Sequence, residues 1–81
     1  MFYLYILKSK KFSKTYVGIS EDVERRLKEH NKGYSRFTSN YRPWGVIYRE
    51  ECQDRSSAMK RERYFKSAAG RKKIKNILIP A

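Results

Sequence analysis

Residues 16–31, YVGISEDVERRLKEHN, decide how this chain folds. The segment reads as a strand that closes around Gly18 and Ile19, a short polar cap, and a helix that runs to about His30. Side chains four apart on a helix are neighbours, so Arg26 and His30 share one face with Val23 and Leu27. That apolar stripe is thin, and such a helix needs a sheet to lie on. Ser20 stands where an N-cap is expected, and Glu21, Asp22 and Glu24 suit the positive end of the helix dipole. Asn31 and Gly33 supply the stop signal.

Upstream, residues 2–8, FYLYILK, are rich in aromatic and β-branched types and hold no breaker, which predicts a strand. Strict alternation sends Tyr3, Tyr5 and Leu7 to one side and Phe2, Leu4 and Ile6 to the other. A strand apolar on both faces belongs in the centre of a sheet, or under cover on both sides. The polar turn 9–14 leads into residues 15–19, and the two strands form an antiparallel hairpin. In the second strand Tyr16 and Gly18 face one way, Val17 and Ile19 the other.

Downstream, residues 32–44 show no period and many turn formers, which predicts a loop. Its aromatics, Tyr34, Phe37, Tyr41 and Trp44, alternate with Lys32, Arg36 and Arg42. Two readings stand. Single-stranded or distorted nucleic acid stacks on such a surface, or the aromatics, two of the four, fold back as a lid over a small core. A third strand covers residues 45–51, and a helix capped by Asp54 or Ser56 runs to about Ala69, where Gly70 stops it. A last helix starts near Arg71, aligns Ile74, Ile77 and Leu78, and halts at Pro80.

The net charge of +12 on 81 residues gives a field that attracts polyanions. Nucleic acid is the first partner to expect. A membrane surface is a poor second, because no helix combines a broad apolar face with a basic one, and a merely basic soluble protein is the plain alternative. From Arg55 onward there are nine basic residues and one acid, Glu62. Arg61, Lys66, Arg71, Lys72 and Lys73 in that stretch need only solvent or a phosphate backbone. Glu62 points with the small and apolar side of its helix, and a half-buried carboxylate there either pairs with an arginine or holds a metal cation. The length predicts one domain, residues 1–81. The single cysteine, Cys52, reads as a buried strand residue of a protein in a reducing compartment. No apolar run is long enough to span a bilayer, and the N-terminal one lacks a preceding basic segment and a cleavage site, so a soluble, cytoplasmic protein is expected.

Tyr3-Leu4-Tyr5, ten intervening residues, then Tyr16-Val17-Gly18 resembles the paired motif of the GIY-YIG nuclease superfamily. The resemblance continues through Arg26 and His30 on the first helix, Asp54-Arg55-Ser56 before the second, and Glu62 within Ala58-Met59-Lys60-Arg61-Glu62. It covers essentially the whole chain and is similar to short, stand-alone bacterial members that resemble the nuclease domain of UvrC. The departures are Tyr3 in place of the first glycine and Ile19 where some members carry lysine.

The resemblance implies an α+β fold, a three-stranded antiparallel sheet flanked by helices in the order β-β-α-β-α-α. It implies a divalent-metal-dependent endonuclease acting on DNA, or RNA, that selects nucleic-acid structure and serves repair. Glu62 would hold Mg²⁺ or Mn²⁺, and Arg26 would grip the phosphate. Tyr5 would act as base with His30 taking the proton onward, Tyr16 would position water and phosphate, and the opposite division between the two tyrosines stays open. Gly18 would allow close approach. Two alternatives remain: a non-catalytic nucleic-acid-binding protein that retains the fold, and a subunit targeted by homodimerisation or a protein partner.

Overall fold

The computed structural model describes residues 1–78. Strand β1 (Phe2–Ser9) is central, with β2 (Thr15–Ser20) on one side and β3 (Trp44–Cys52) on the other, both antiparallel to it. Helix α1 (Val23–Lys32) and a single-turn helix α2 (Arg36–Ser39) lie between β2 and β3 in the chain. Helices α3 (Arg55–Lys66) and α4 (Ala68–Leu78) follow. The three-stranded antiparallel sheet flanked by helices is therefore the observed architecture, with α2 added.

β1 is buried on both faces because its alternation feeds two cores. Leu4 and Ile6 join Val17, Cys52, Ala58, Phe65 and Ile74, with Phe2 and Ile19 packed alongside. Tyr5 and Leu7 join Val23 and Trp44, with Tyr3, Tyr16 and Leu27 alongside. Fully burying one such side chain contributes about 1.5–3 kcal/mol, so the central strand, which feeds both cores, contributes strongly to stability. A bulge between Ile6 and Leu7 sets Tyr48 and Val46 against them and leaves Ile47 as the extra residue of β3.

The helix ends differ from expectation in instructive ways. Asp22, not Ser20, is the N-cap of α1, its carboxylate accepting from Arg25 N at 3.0 Å. Ser20 is spent on the turn that ends β2, accepting from Asp22 N at 2.9 Å and donating to Asp22 O at 3.1 Å. Gly33 ends α1 in the left-handed conformation, φ 88°, as its stop signal predicts. The segment read as a loop holds α2, one turn closed by Ser39 N donating to Ser35 O at 2.9 Å. No periodicity announces one turn, and packing of the buried Thr38 holds it in place.

Asp54 caps α3 by accepting from Ser57 N at 2.8 Å, but the helix ends at Ser67, before Ala69. Gly70 lies inside α4 rather than between helices. A Cβ there would collide with the Tyr64 carbonyl and the Phe65 backbone, so glycine is present because α3 and α4 touch at this point. The start of the last helix moves accordingly to Ala68, and of its expected apolar face Ile74 is buried and Ile77 half-buried, while Leu78 is exposed. The halt expected at Pro80 lies outside the described residues. Cys52 is buried at the end of β3, with its thiol directed at Glu50 O.

Candidate active site

The β1–β2 register sets Tyr5 opposite Gly18 and Leu7 opposite Tyr16. Both tyrosine rings lie on the α1 face of the sheet, their centroids 6.3 Å apart. Gly18 makes that pairing fit: a Cβ would come within 2.6 Å of the Tyr5 hydroxyl and 2.9 Å of the Tyr16 ring. The last turn of α1 then brings His30 down onto both, its ring 4.7 Å from that of Tyr16.

The Tyr5 hydroxyl is 3.1 Å from His30 Nε2, and His30 Nδ1 is 2.8 Å from Thr38 Oγ1. All three residues are buried. The Thr38 hydroxyl donates to Ser35 O at 3.4 Å, so its lone pairs are free to accept Nδ1–H. That order leaves Nε2 as an acceptor and points the phenolic proton at it. Thr38 is in turn held by Trp44, whose Nε1 donates to the Thr38 carbonyl at 2.8 Å. Asn31 fixes Trp44 by a two-way amide pairing, accepting from Trp44 N at 2.6 Å and donating to Trp44 O at 3.2 Å.

Charges around this row act on it. Burial pushes the Tyr5 phenol above its ordinary range, nearby Arg26 pulls it back, and the neighbouring Tyr16 and, least of all, Glu62 push it up again. Burial, then the Arg26 charge, holds the His30 imidazole below its usual pKa, so it stands neutral at pH 7. Arg26 is half-buried one turn before His30 and gives one nitrogen, Nη1, to Glu29 at 2.5 Å, leaving the rest of its fork for another acceptor.

Glu62 on α3 is half-buried and accepts from Lys66 Nζ at 3.3 Å. Among the described residues it pairs with no arginine. No group of three or more His, Cys, Asp or Glu side chains that could hold a metal occurs among the described residues. A hard cation such as Mg²⁺ is bound through one or two carboxylates with water filling the other positions, and Glu62 fits that pattern as a lone oxygen donor.

The remaining basic residues separate. Lys32, Arg36, Arg71, Lys72 and Lys73 are exposed, and Lys66 is taken in part by Glu62. Arg42 donates to Ser39 O at 3.0 Å and packs beneath Gly33. Arg61 forks onto Glu50 at 2.5 and 3.0 Å and covers the Tyr64 and Phe65 rings. The loop aromatics divide two and two. Trp44 is buried and Tyr41 half-buried in the core, while Tyr34 and Phe37 are exposed.

A family model described as the GIY-YIG catalytic domain matches residues 1–75. The chain belongs to the GIY-YIG family. A UPF0213 protein of Staphylococcus saprophyticus is 38% identical over 76 residues, covering 93% of this chain and 92% of its own. Another, from Desulfotalea psychrophila, is 44% identical over 61 residues, 72% of this chain and 54% of its own. The solution NMR structure of a UPF0213 protein from Bacillus halodurans superposes with a TM-score of 0.55 at 30% identity, covering 95% of this chain and 83% of that one.

GIY-YIG membership makes this a domain of nuclease type, and nucleic acid the class of substrate it implies. No helix among the described residues is long and apolar enough to cross a membrane. Of the residues the resemblance singles out, Tyr5, Tyr16 and His30 pack against one another, and the charges of Arg26 and, least, Glu62 act on Tyr5. The residues that sequence reasoning missed are Thr38, Trp44 in its supporting role, and Asn31. None carries a sequence signal, since each acts through a contact across the fold.

Proposed function

We propose that this GIY-YIG protein is a divalent-metal-dependent endonuclease that hydrolyses DNA phosphodiesters. The observation that supports it best is the Tyr5 hydroxyl 3.1 Å from His30 Nε2, with Arg26 beside the phenol favouring its ionised form. Tyr5 passes its proton to Nε2 and accepts one from the attacking water. The water oxygen bonds to phosphorus as the bond to the ester oxygen breaks, the leaving oxygen takes a proton from solvent, and His30 Nε2 releases the one it received. Thr38 holds His30 so that Nε2 faces the phenol throughout. Tyr16 positions water and phosphate, and Arg26 binds a phosphoryl oxygen through the donors Glu29 does not use. When bound at Glu62, Mg²⁺ or Mn²⁺ supplies charge for the phosphoryl and leaving oxygens.

The exposed cations of α4, Arg71, Lys72 and Lys73, with Lys32 and Arg36, bind the phosphate backbone. Selection of nucleic-acid structure, a role in repair, and targeting by a second copy or a partner complete the reading. Cleavage of labelled linear, nicked, flapped and branched DNA with Mg²⁺, Mn²⁺ or chelator tests it. Wild type should cut only with metal, Glu62→Ala should bind without cutting, and Tyr5→Phe should lose roughly 10²–10⁴-fold in rate. One observation favours a non-catalytic binder instead: burial makes the Tyr5 proton harder to remove. Binding without cutting on every substrate would select that reading.

A further inference from the structure

Beside the tyrosine pair, a cavity of about 460 Å³ lined by Thr15, Tyr16 and Val17 opens along β2. Tyr16 and Phe37 line it, the buried Phe65 and Ile74 lie beneath, and Lys66 and Arg71 stand around it. Phe37 leaves 45% of its surface open, and its ring is 6.4 Å from that of Tyr16 and 29° from parallel. A second cavity of about 340 Å³ shares Arg71 and Ile74 and adds Lys8 and Lys75. No carboxylate lines either cavity, whereas the cavity at the start of α1 carries Glu21 and Asp22 among its arginines. Lys66 is shared with Glu62 and Lys8 with two carbonyls, but Arg71 and Lys75 have no ion-pair partner among the described residues.

We infer that this groove is a binding site for an unpaired nucleotide of the substrate strand, its base stacked on Phe37 and its phosphates on Arg71 and Lys75. Phe37 packs on Tyr16, Tyr41 and Trp44 and keeps part of its ring open, and an open ring can stack on a base whose own face is free, as those inside a continuous duplex are not. The cations without carboxylates select a polyanion over an apolar peptide. Because Tyr16 belongs to both the groove and the tyrosine pair, the unpaired nucleotide sits next to the phosphate to be cut. The substrate class is therefore DNA with a single-stranded segment, such as a flap or tail. The choice of DNA rests on the nuclease reading, but the groove's preference for an unpaired base does not.

The test is fluorescence anisotropy in chelator, with a blunt duplex and the same duplex bearing a short oligothymidine tail. Wild type should bind the tailed ligand about tenfold more tightly. Phe37→Ala should remove that advantage and leave blunt-duplex binding unchanged, and Phe37→Trp should keep it. Should Phe37→Ala fail to fold, Phe37→Leu, which keeps apolar bulk and removes the flat ring, takes its place and should lose the advantage likewise. Equal affinity of wild type for the two ligands, or an advantage that survives a folded Phe37→Ala, overturns the inference. Since no metal is present, a tail preference without later cleavage would sink the nuclease reading alone, and cleavage without a tail preference would sink this one alone.

Discussion

Thr38 Oγ1 stands 2.8 Å from His30 Nδ1, and this contact joins the single-turn helix to the last turn of α1. It determines which imidazole nitrogen faces Tyr5. A buried N–H without an acceptor costs about 1–3 kcal/mol, so the pair also contributes to stability.

Replacing Thr38 by Val keeps the shape and removes the acceptor. Stability should fall by about 1–3 kcal/mol in urea denaturation. The ¹⁵N shifts of His30, the single histidine of the chain, should show loss of the Nδ1–H tautomer. If the nuclease reading holds, kcat should fall while KM changes little, and Thr38→Ser should restore both. An unchanged His30 spectrum in Thr38→Val would show that Thr38 only fills space.

The depressed pKa of His30 predicts a pH dependence whose sign follows from linkage. The unfolded chain binds this proton near the ordinary histidine pKa and the folded chain only at lower pH. His30 thus contributes stability that is present above about pH 6.5 and lost as pH falls toward the folded value. Glu24 and Glu50 are depressed too, by Arg49 and Arg61, but from a starting pKa of 4.5, so their window lies lower. The melting temperature should drop as pH falls below about 6.5, and His30→Gln should flatten that slope. A wild-type slope that persists in His30→Gln would assign it elsewhere.

Gly18→Ala places a methyl 2.6 Å from the Tyr5 hydroxyl, in a part of the core where the ring is packed on all sides. The expected cost is about 1–3 kcal/mol, with a weakened Tyr5–His30 contact. The His30 side-chain resonances should shift as they do in Tyr5→Phe. Retained stability together with an unperturbed His30 would mean that β2 can move aside at little cost.

Gly70→Ala separates two reasons for a glycine by sign. At an ordinary helix position alanine stabilises by roughly 1 kcal/mol over glycine. Here the added methyl meets the backbone of Tyr64 and Phe65, so destabilisation of about 1–3 kcal/mol is expected as α3 and α4 are forced apart. Chemical denaturation reads the difference directly.

Most of the element order is legible in the chain because it rests on short-range rules. Period-2 alternation alone assigns Tyr5, Leu7 and Tyr16 to one face of the sheet and Leu4, Ile6 and Val17 to the other. The helical period alone puts Arg26 beside His30. The GIY-YIG resemblance, carried by Tyr3-Leu4-Tyr5 and Tyr16-Val17-Gly18, adds the antiparallel sheet and the family. Tertiary structure decided the rest, where a residue's role depends on a partner distant in sequence. Tyr5 meets His30 across 25 positions and Arg61 meets Glu50 across 11. Asp22 replaces Ser20 as the cap because the end of β2 claims the serine hydroxyl, and Gly70 is a packing contact because α4 folds back on α3. Thr38 acquires its role because Asn31 and Trp44 fix α2 against His30. Local periodicity carries no record of such meetings, which exist only once strand register and helix packing have set the distances.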